Sequence, residues 1–520
     1  MAIQPRYYDV IGFGDEVPGV LATIAAAREY RRQTQKYPRV LLMSTASPHQ
    51  GIGGHLVRGG LAYLDRSQID RHLRHSLGLD TFGAPPALYK EFLDRAGVTH
   101  IALDPEKGDR ALREMLREAG VALLSDADIA EVQTEGKRLR GITTTEGETY
   151  CAKQFIDSTV NAKLAQAAGA TKKTGFATFG LPNSELPVTL VFETKGLSVK
   201  RLKEIEFAYL KRFTNLADTE AQHFLKTAAG FDETLIETLR KDLVDERGEY
   251  KTMWVGKDYI DIRSKALSIA YHSFRGKKLS LYDSGAILDR GNIAKFSDDR
   301  LSWNALMIAV TGIEAEKLAD NDAKPTAEML EEMAFVEKWF KSLGAKAVTP
   351  ASELYIRHAG NVTEVVEPLS GAEMLGGGVP DDEALGTFAY HFDVRGGIPG
   401  IGEKAQAQGF LSTMFSKPIF NIGIRHAQLK EVQNLAVVSP ASGFEGFASA
   451  AGRIVEFNAG VGQGLGIAAT LAHLSDRNLA EISNREVRNV LMQTGQLPQI
   501  FGQSQAPDLA KLKQFETVVA

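Results

Sequence analysis

The stretch VIGFGDEVPGVLATIAAA occupies residues 10–27. Its first part is an apolar run fit for a buried strand, and its last part is alanine-rich and helical in character. A glycine turn joins them. The pattern predicts a strand through YYDVIGFG, a helix from about Val17 to Gln33, and a second strand in RVLLMS at residues 39–44. A βαβ start of this kind has its natural ligand position at the first turn, where helix amides and the helix dipole favour an anion. Gly14 permits the tight bend, and Gly19 lets the helix lie close to the strand. Asp15 suits the helix cap, and Pro18 in the first turn loses nothing by lacking an N–H. The second glycine usual in a dinucleotide turn is here an acid, so the spacing reads Gly14-x-Glu16-x-x-Gly19.

The totals bound what surrounds this unit. A chain of 520 residues exceeds one ordinary core, so two or three structural units are expected. With 44% hydrophobic and 24% charged residues the composition is that of a globular protein. A net charge of -5 argues against a dedicated nucleic-acid binder. Cys151 is the only cysteine, which excludes an intramolecular disulfide and CxxC chemistry. The first ten residues lack the apolar core of a signal peptide, and no run approaches the roughly 18 apolar residues of a membrane span. A cytoplasmic location is the expectation. One charged run, AREYRRQTQKYPR at 27–39, sets Arg28, Arg31, Arg32, Lys36 and Arg39 against Glu29. It is either a solvated helix end or a patch for an acidic partner or peripheral membrane contact.

Further along, HQGIGGHLVRGG at 49–60 is a glycine-dense loop that backbone or ligand can approach closely. DPEKGDRALREMLREAG at 104–120 has the acidic start, apolar stripe and glycine stop of an amphipathic helix. Short strands follow to residue 159. Long charged helices then mix with strands such as LPVTLVFET and SELYIRH, before the chain returns to glycine-rich segments in NLAVVSPASGF and AGVGQGLGIAATLAHL. The boundaries expected are 1–180 for the first part of a dinucleotide-binding domain, 181–380 for an α+β insertion, 381–475 for the closing part, and 476–520 for a C-terminal helix and a loosely held tail.

In this order the segments resemble FAD-dependent oxidoreductases of the glutathione-reductase-like class, in particular the branch laid out like fumarate reductase and succinate dehydrogenase. YYDVIGFGDEVPGVLATIAAA resembles that class's first strand and helix, and IGGHLVRGGL its loop past the flavin. DPEKGDRALREMLREAGVALLSDADIAEV is similar to the elements before the adenine pocket, and KQFIDSTVNAKLAQAAGA to the strand end that carries Asp-Ala-Thr-Gly. ELYIRHAGNVTEVVEPLSGAEM resembles an active-site arginine segment. NLAVVSP with GRIVEFNAGVGQGLGIAATLA resembles the closing strand and the helix that faces the flavin. The resemblance implies an α/β fold, a Rossmann-type FAD-binding domain of the three-layer ββα kind interrupted by an α+β cap domain. It implies FAD as cofactor, held by Gly12, Gly14, Glu16, Gly19, Ser44, Gly53, Gly54, His55, Ile129, Thr159, Gly462 and Gln463. It also implies hydride transfer between the flavin and a small organic substrate lying against the insertion.

Three positions depart from the family's pattern: Glu16 for a glycine, Ser44 for the acid that grips the ribose, and Val160 for the glycine after the Asp-Ala-Thr run. A carboxylate about 5 Å from a phosphate costs roughly 3 kcal/mol at an effective dielectric near 20. That is about a hundredfold in affinity. The same carboxylate gains about 0.3–1 kcal/mol at a helix N-terminus. A second class of function therefore stands beside the enzyme: a binding or assembly protein on a flavoenzyme scaffold that no longer holds FAD. NAD as sole ligand suffers from the same broken ribose position.

Arg357 suits a substrate carboxylate or developing anion, and His358 a proton transfer near neutral pH. In YHFDVRGG the alternation of His391, Asp393 and Arg395 puts all three on one face, either a catalytic set or a structural ion-pair row. Arg425 and His426 repeat the Arg-His pairing. His72 and His75 stand at helical spacing without an acidic partner pattern, so no metal site is expected.

Overall fold

The opening stretch folds as β1 (Arg6–Phe13), buried over its last five residues, followed by α1 (Val17–Thr34). Gly14 between them has φ +87°, a backbone conformation open to a residue without a side chain. β2 (Val40–Met43) pairs in parallel with β1. The amphipathic stretch is α2 (Pro105–Ala119), capped by the Asp104 side chain and stopped by Gly120 in the left-handed conformation. It leads to β3 (Ala122–Leu124), parallel to β2. β4 (Ile129–Glu135), β5 (Arg138–Thr144) and β6 (Thr149–Asp157) form an antiparallel meander, and β6 also runs parallel to β1. The sheet order is β3-β2-β1-β6-β5-β4. This is a computed structural model, and it describes residues 4–519.

The insertion carries its own sheet. β7 (Val188–Lys195), β8 (Trp254–Val255), β9 (Tyr259–Asp261), β10 (Ala286–Lys295), β11 (Arg300–Ile308) and β12 (Ala347–Pro350) lie in the order β12-β7-β11-β10-β9-β8 with every pairing antiparallel. The charged helices predicted there are present at Val199–Thr214 and Ala327–Leu343. Their apolar stripes join the sheet in a core containing Leu202, Phe192, Trp303 and Phe340. The segments ELYIRH and YHFDVRGG are extended but lie outside the sheets, apart from a single bridge between Tyr355 and Thr189. The fold class is therefore mixed α/β, as the sequence implied.

The chain then returns to the first sheet. β13 (Leu435–Val437) runs parallel to the end of β6. α3 (Val455–Leu474) lies against α1, where a side chain on Gly462 or Gly466 would collide with the Pro18 or Ala22 carbonyl. Thr470 donates to the Ala26 carbonyl at 2.9 Å. The glycine run thus serves close helix packing.

The final segment is not loose. α4 (Ala506–Val519) buries Leu512, Phe515 and Val519 in a cluster with Phe176, Phe179 and Phe447. The Glu516 carboxylate accepts the backbone N–H groups of Gly371, Ala372 and Phe447 at 2.9–3.1 Å. The basic run near the end of α1 is largely neutralised within the chain: Arg28 pairs with Glu91, Arg32 with Glu29 and Arg39 with Asp9. No helix among the described residues is long and apolar enough to cross a membrane.

Candidate functional site

A cavity of about 540 Å³ opens where the loop after β2, the insertion sheet and the start of α3 converge. Its wall carries six arginines, at 66, 74, 290, 357, 395 and 453, against Asp65, Asp289 and Asp393. Three of the predicted residues, Arg357, His391 and Arg395, line it together. Alternation along the extended segment puts His391, Asp393 and Arg395 on one side without a sheet to hold them.

Arg357 is the most constrained of these groups. Its side chain is 1% exposed; it donates to the Pro187 carbonyl at 2.7 Å and to Asn304 Oδ1 at 3.3 Å, and its guanidinium lies 4.6 Å from the Tyr355 ring centroid. Among the described residues no carboxylate forms an ion pair with it. Burial lowers its pKa to about 10, and the neighbouring Arg395 and Arg453 charges add to that effect. Arg453, just before α3, is held differently. It donates to the Tyr355 hydroxyl at 2.5 Å and to Asp393 at 2.6 Å, and its Nε has no partner. Burial works against its charge, but Tyr355 and Asp393 outweigh that and raise its pKa.

Asp65, Tyr390 and His391 sit on the same wall. Burial raises the Asp65 carboxyl, partly offset by Arg453, and burial beside Asp65 and Asp393 raises the Tyr390 phenol well above its ordinary range. His391 is half exposed at the cavity mouth, stacked on Tyr390 at 4.7 Å, with Nδ1 3.0 Å from Gln68 Oε1. Arg395 reaches the Arg290 carbonyl, and the Asn304 carbonyl at 3.2 Å.

The first-turn groove is a separate and much smaller space of about 70 Å³. Charged side chains fill it. Glu16 Oε1 accepts the His55 backbone N–H at 3.1 Å, while Oε2 lies 2.5 Å from His55 Nδ1, an ion-pair approach too poorly aligned for a hydrogen bond. Arg58 pairs with Asp15 and, at 2.5 Å, with Glu353. Burial raises Glu353 to about 7, with Arg58 opposing and Asp15 and Glu16 reinforcing the shift. The His55 ring stacks on Tyr355 at 5.1 Å, so this cluster adjoins the arginine cavity.

The profile of the family described as FAD dependent oxidoreductase matches residues 9–491. The chain belongs to that family. No curated protein sequence matches it significantly. Solved structures similar to this FAD dependent oxidoreductase family member include L-proline dehydrogenase from P. horikoshii, with 11% identity, 95% of this chain and 100% of that one covered, and a TM-score of 0.36. PqsL from P. aeruginosa, in complex with 2-aminobenzoylacetate, has 12% identity, 99% of each chain covered and a TM-score of 0.34. A geranylgeranyl bacteriochlorophyll reductase-like protein from Thermoplasma acidophilum has 10% identity, 99% and 100% coverage, and a TM-score of 0.36.

FAD is the cofactor of this family, and the side chains at the first turn test its fit. A groove of about 70 Å³ has room for a few waters, whereas ligand pockets run to roughly 300–1,000 Å³. With Glu16, His55, Arg58 and Glu353 placed as they are, a dinucleotide does not fit there. Most of the glycines assigned to it serve the protein's own packing. A Cβ at Gly12 would meet Thr23, at Gly14 the Thr159 amide, at Gly19 the Ser158 side chain, and at Gly54 the Glu16 carboxylate itself. Gly53, with φ +124°, turns the loop over Val57.

The other predicted cofactor residues divide similarly. The Ser44 hydroxyl accepts the Ala46 N–H at 3.1 Å, and the Thr159 hydroxyl binds Asp157 at 2.7 Å; both are occupied locally. Val160 packs against the core of the insertion, and Ile129 opens β4. Two assignments are corrected. Gly462 and Gln463 do not face a ligand groove: they lie inside α3, where Gly462 packs on Pro18 and Gln463 bonds Leu88 and Gln496. His358 is not in the cavity: it is fully buried between Glu185, at 2.8 Å from Nδ1, and Asn361, at 2.9 Å from Nε2, and stacked on Phe176. Extended backbone sends its side chain opposite to Arg357. The Arg425–His426 pair is also structural, with His426 buried and lowered to about 3 by desolvation. His72 and His75 are exposed, and no metal-type cluster exists among the described residues.

Sequence reasoning missed Arg453, Asp65 and Tyr390. Arg453 left one signal, a lone charge between the small-residue run FASAAG and the apolar start of α3.

Proposed function

We propose that this FAD dependent oxidoreductase family member binds a small organic anion with two or more carboxylates in the arginine-lined cavity. The observation that carries the proposal is Arg357, a fully buried guanidinium with no carboxylate partner among the described residues. A buried cation of this kind is relieved by an anionic ligand. Arg453, paired with Asp393, and Arg395, 3.7 Å from Asp289, stand on the same wall, whose six arginines outnumber its three aspartates, which favours more than one carboxylate over a single one. Burial raises the Tyr390 phenol and the Asp65 carboxyl inside the cavity, and His391 stands half exposed at its mouth.

Hydride exchange between this anion and a flavin is the reaction the family implies, and it requires the first-turn groove to open. What the chain's own residues supply in the present arrangement is charge and hydrogen-bond donors that bind and orient the anion. The second reading, a ligand-binding or assembly protein on a flavoenzyme scaffold, is favoured by one observation, the filled groove at Glu16.

Thermal shift and titration calorimetry with acetate, succinate, citrate and neutral succinamide test the anion site. Succinate and citrate are expected to raise Tm and acetate and succinamide to leave it unmoved, since a ligand stabilises by RT ln(1 + [L]/Kd). Equal shifts from succinamide and succinate, or none from any carboxylate, refute the proposal.

A further inference from the structure

Glu16 stands at the N-cap position of α1, where its backbone carbonyl accepts the Gly19 and Val20 N–H groups. Its carboxylate is buried against Gly54 and His55 and lines the first-turn groove, the side of the turn on which dinucleotides bind in folds of this type. One step away, Arg58 is clasped by Asp15 from the turn and by Glu353 from the segment leading to Arg357. Both pairs bridge the first turn to the loop after β2, and their side chains are about nine-tenths buried.

We propose that Glu16 is an internal substitute for the cofactor's diphosphate, and that the Glu16–His55 and Asp15–Arg58–Glu353 contacts form a latch that keeps FAD out of the groove. The Glu16 carboxylate makes no cap hydrogen bond to α1 and is held instead by the His55 N–H, while Arg58, the cation that would greet a phosphate, is already neutralised by Asp15 and Glu353. FAD entry requires the Glu16 side chain to leave, Arg58 to give up at least one acid, and the His55 ring to slide from Tyr355. The latch also shares Tyr355 with the arginine cavity, so opening it disturbs the ring that carries Arg357 and bonds Arg453. The inference does not depend on which anion enters that cavity.

The test uses the full chain, with FAD as probe and quenching of FAD fluorescence as readout, beside Tm with and without excess FAD. Wild-type protein is expected to purify without flavin and to keep its Tm in excess FAD. Glu16→Gly removes charge and bulk and is expected to tighten FAD binding about a hundredfold, the factor that a like charge about 5 Å away imposes. Glu16→Gln removes the same charge but keeps the bulk, so it guards against a misfolded glycine variant and is expected to tighten binding by a smaller factor than Glu16→Gly. Stoichiometric FAD in purified wild-type protein, a clear rise of wild-type Tm with FAD, or unchanged affinity in both variants overturns the proposal.

Discussion

Replacing Arg357 by Met sets ligand binding against stability. Lowering this guanidinium to about 10 by burial corresponds to roughly 3 kcal/mol of destabilisation in the ligand-free protein. The sign follows from linkage: a cation whose folded value lies below its unfolded one is charged in both states at pH 7, so the cost is constant there and is relieved only as pH rises through 10. Methionine keeps a long flexible side chain beside Tyr355 and removes the charge. It also removes donors to the Pro187 carbonyl and Asn304, a loss of about 1–2 kcal/mol. The net expectation is a ligand-free variant more stable by about 1–2 kcal/mol. For a 520-residue chain unfolding as one unit, this raises Tm by only about 1–2 °C, so urea denaturation is the better assay. The same variant is expected to lose the stabilisation by succinate. A variant that is destabilised by more than about 2 kcal/mol, or that keeps the succinate response, refutes the reasoning.

Other substitutions test the frame around the cavity. Gly19→Ala pushes a methyl into the Ser158 side chain and is expected to cost about 2–4 kcal/mol in urea denaturation, whereas Gly402→Ala, with open space around it, is expected to be neutral or slightly stabilising. His358→Gln is expected to cost about 2–3 kcal/mol by breaking the buried contact with Glu185, yet to leave the succinate-induced Tm shift in place. Glu516, raised to about 7 by burial against three opposing backbone N–H bonds, gives a pH signature. Its folded value exceeds its unfolded one, so its contribution falls as pH rises from about 4.5 to 7, by roughly 3 kcal/mol in all. Tm measured from pH 5 to 8 is expected to decline less in Glu516→Gln than in the wild type.

Local chemistry made the first unit legible. The βαβ start, the capped helix at Pro105–Ala119 and the charged helices of the insertion each carry their own periodicity and stop signals. Arg357, His391 and Arg395, named from the sequence as candidates, line one cavity, whereas His358 from the same segment as Arg357 is buried elsewhere. The partners were not legible. His358 depends on Glu185, 173 residues away, and Arg58 on Glu353, 295 residues away, and neither distance leaves a mark in the sequence. The run Gly460–Gly466 fits both a flavin-facing helix and a tight helix crossing, since both need small side chains. Only the contacts of Gly462 and Gly466 with the α1 backbone separate them.

A crystal structure grown with saturating succinate tests the anion site most directly. Succinate is expected in the cavity, with a carboxylate in hydrogen-bond contact with Arg357 and its second carboxylate near Arg395 or Arg453. A cavity holding water alone, with Arg357 paired to a carboxylate of the protein, contradicts that expectation.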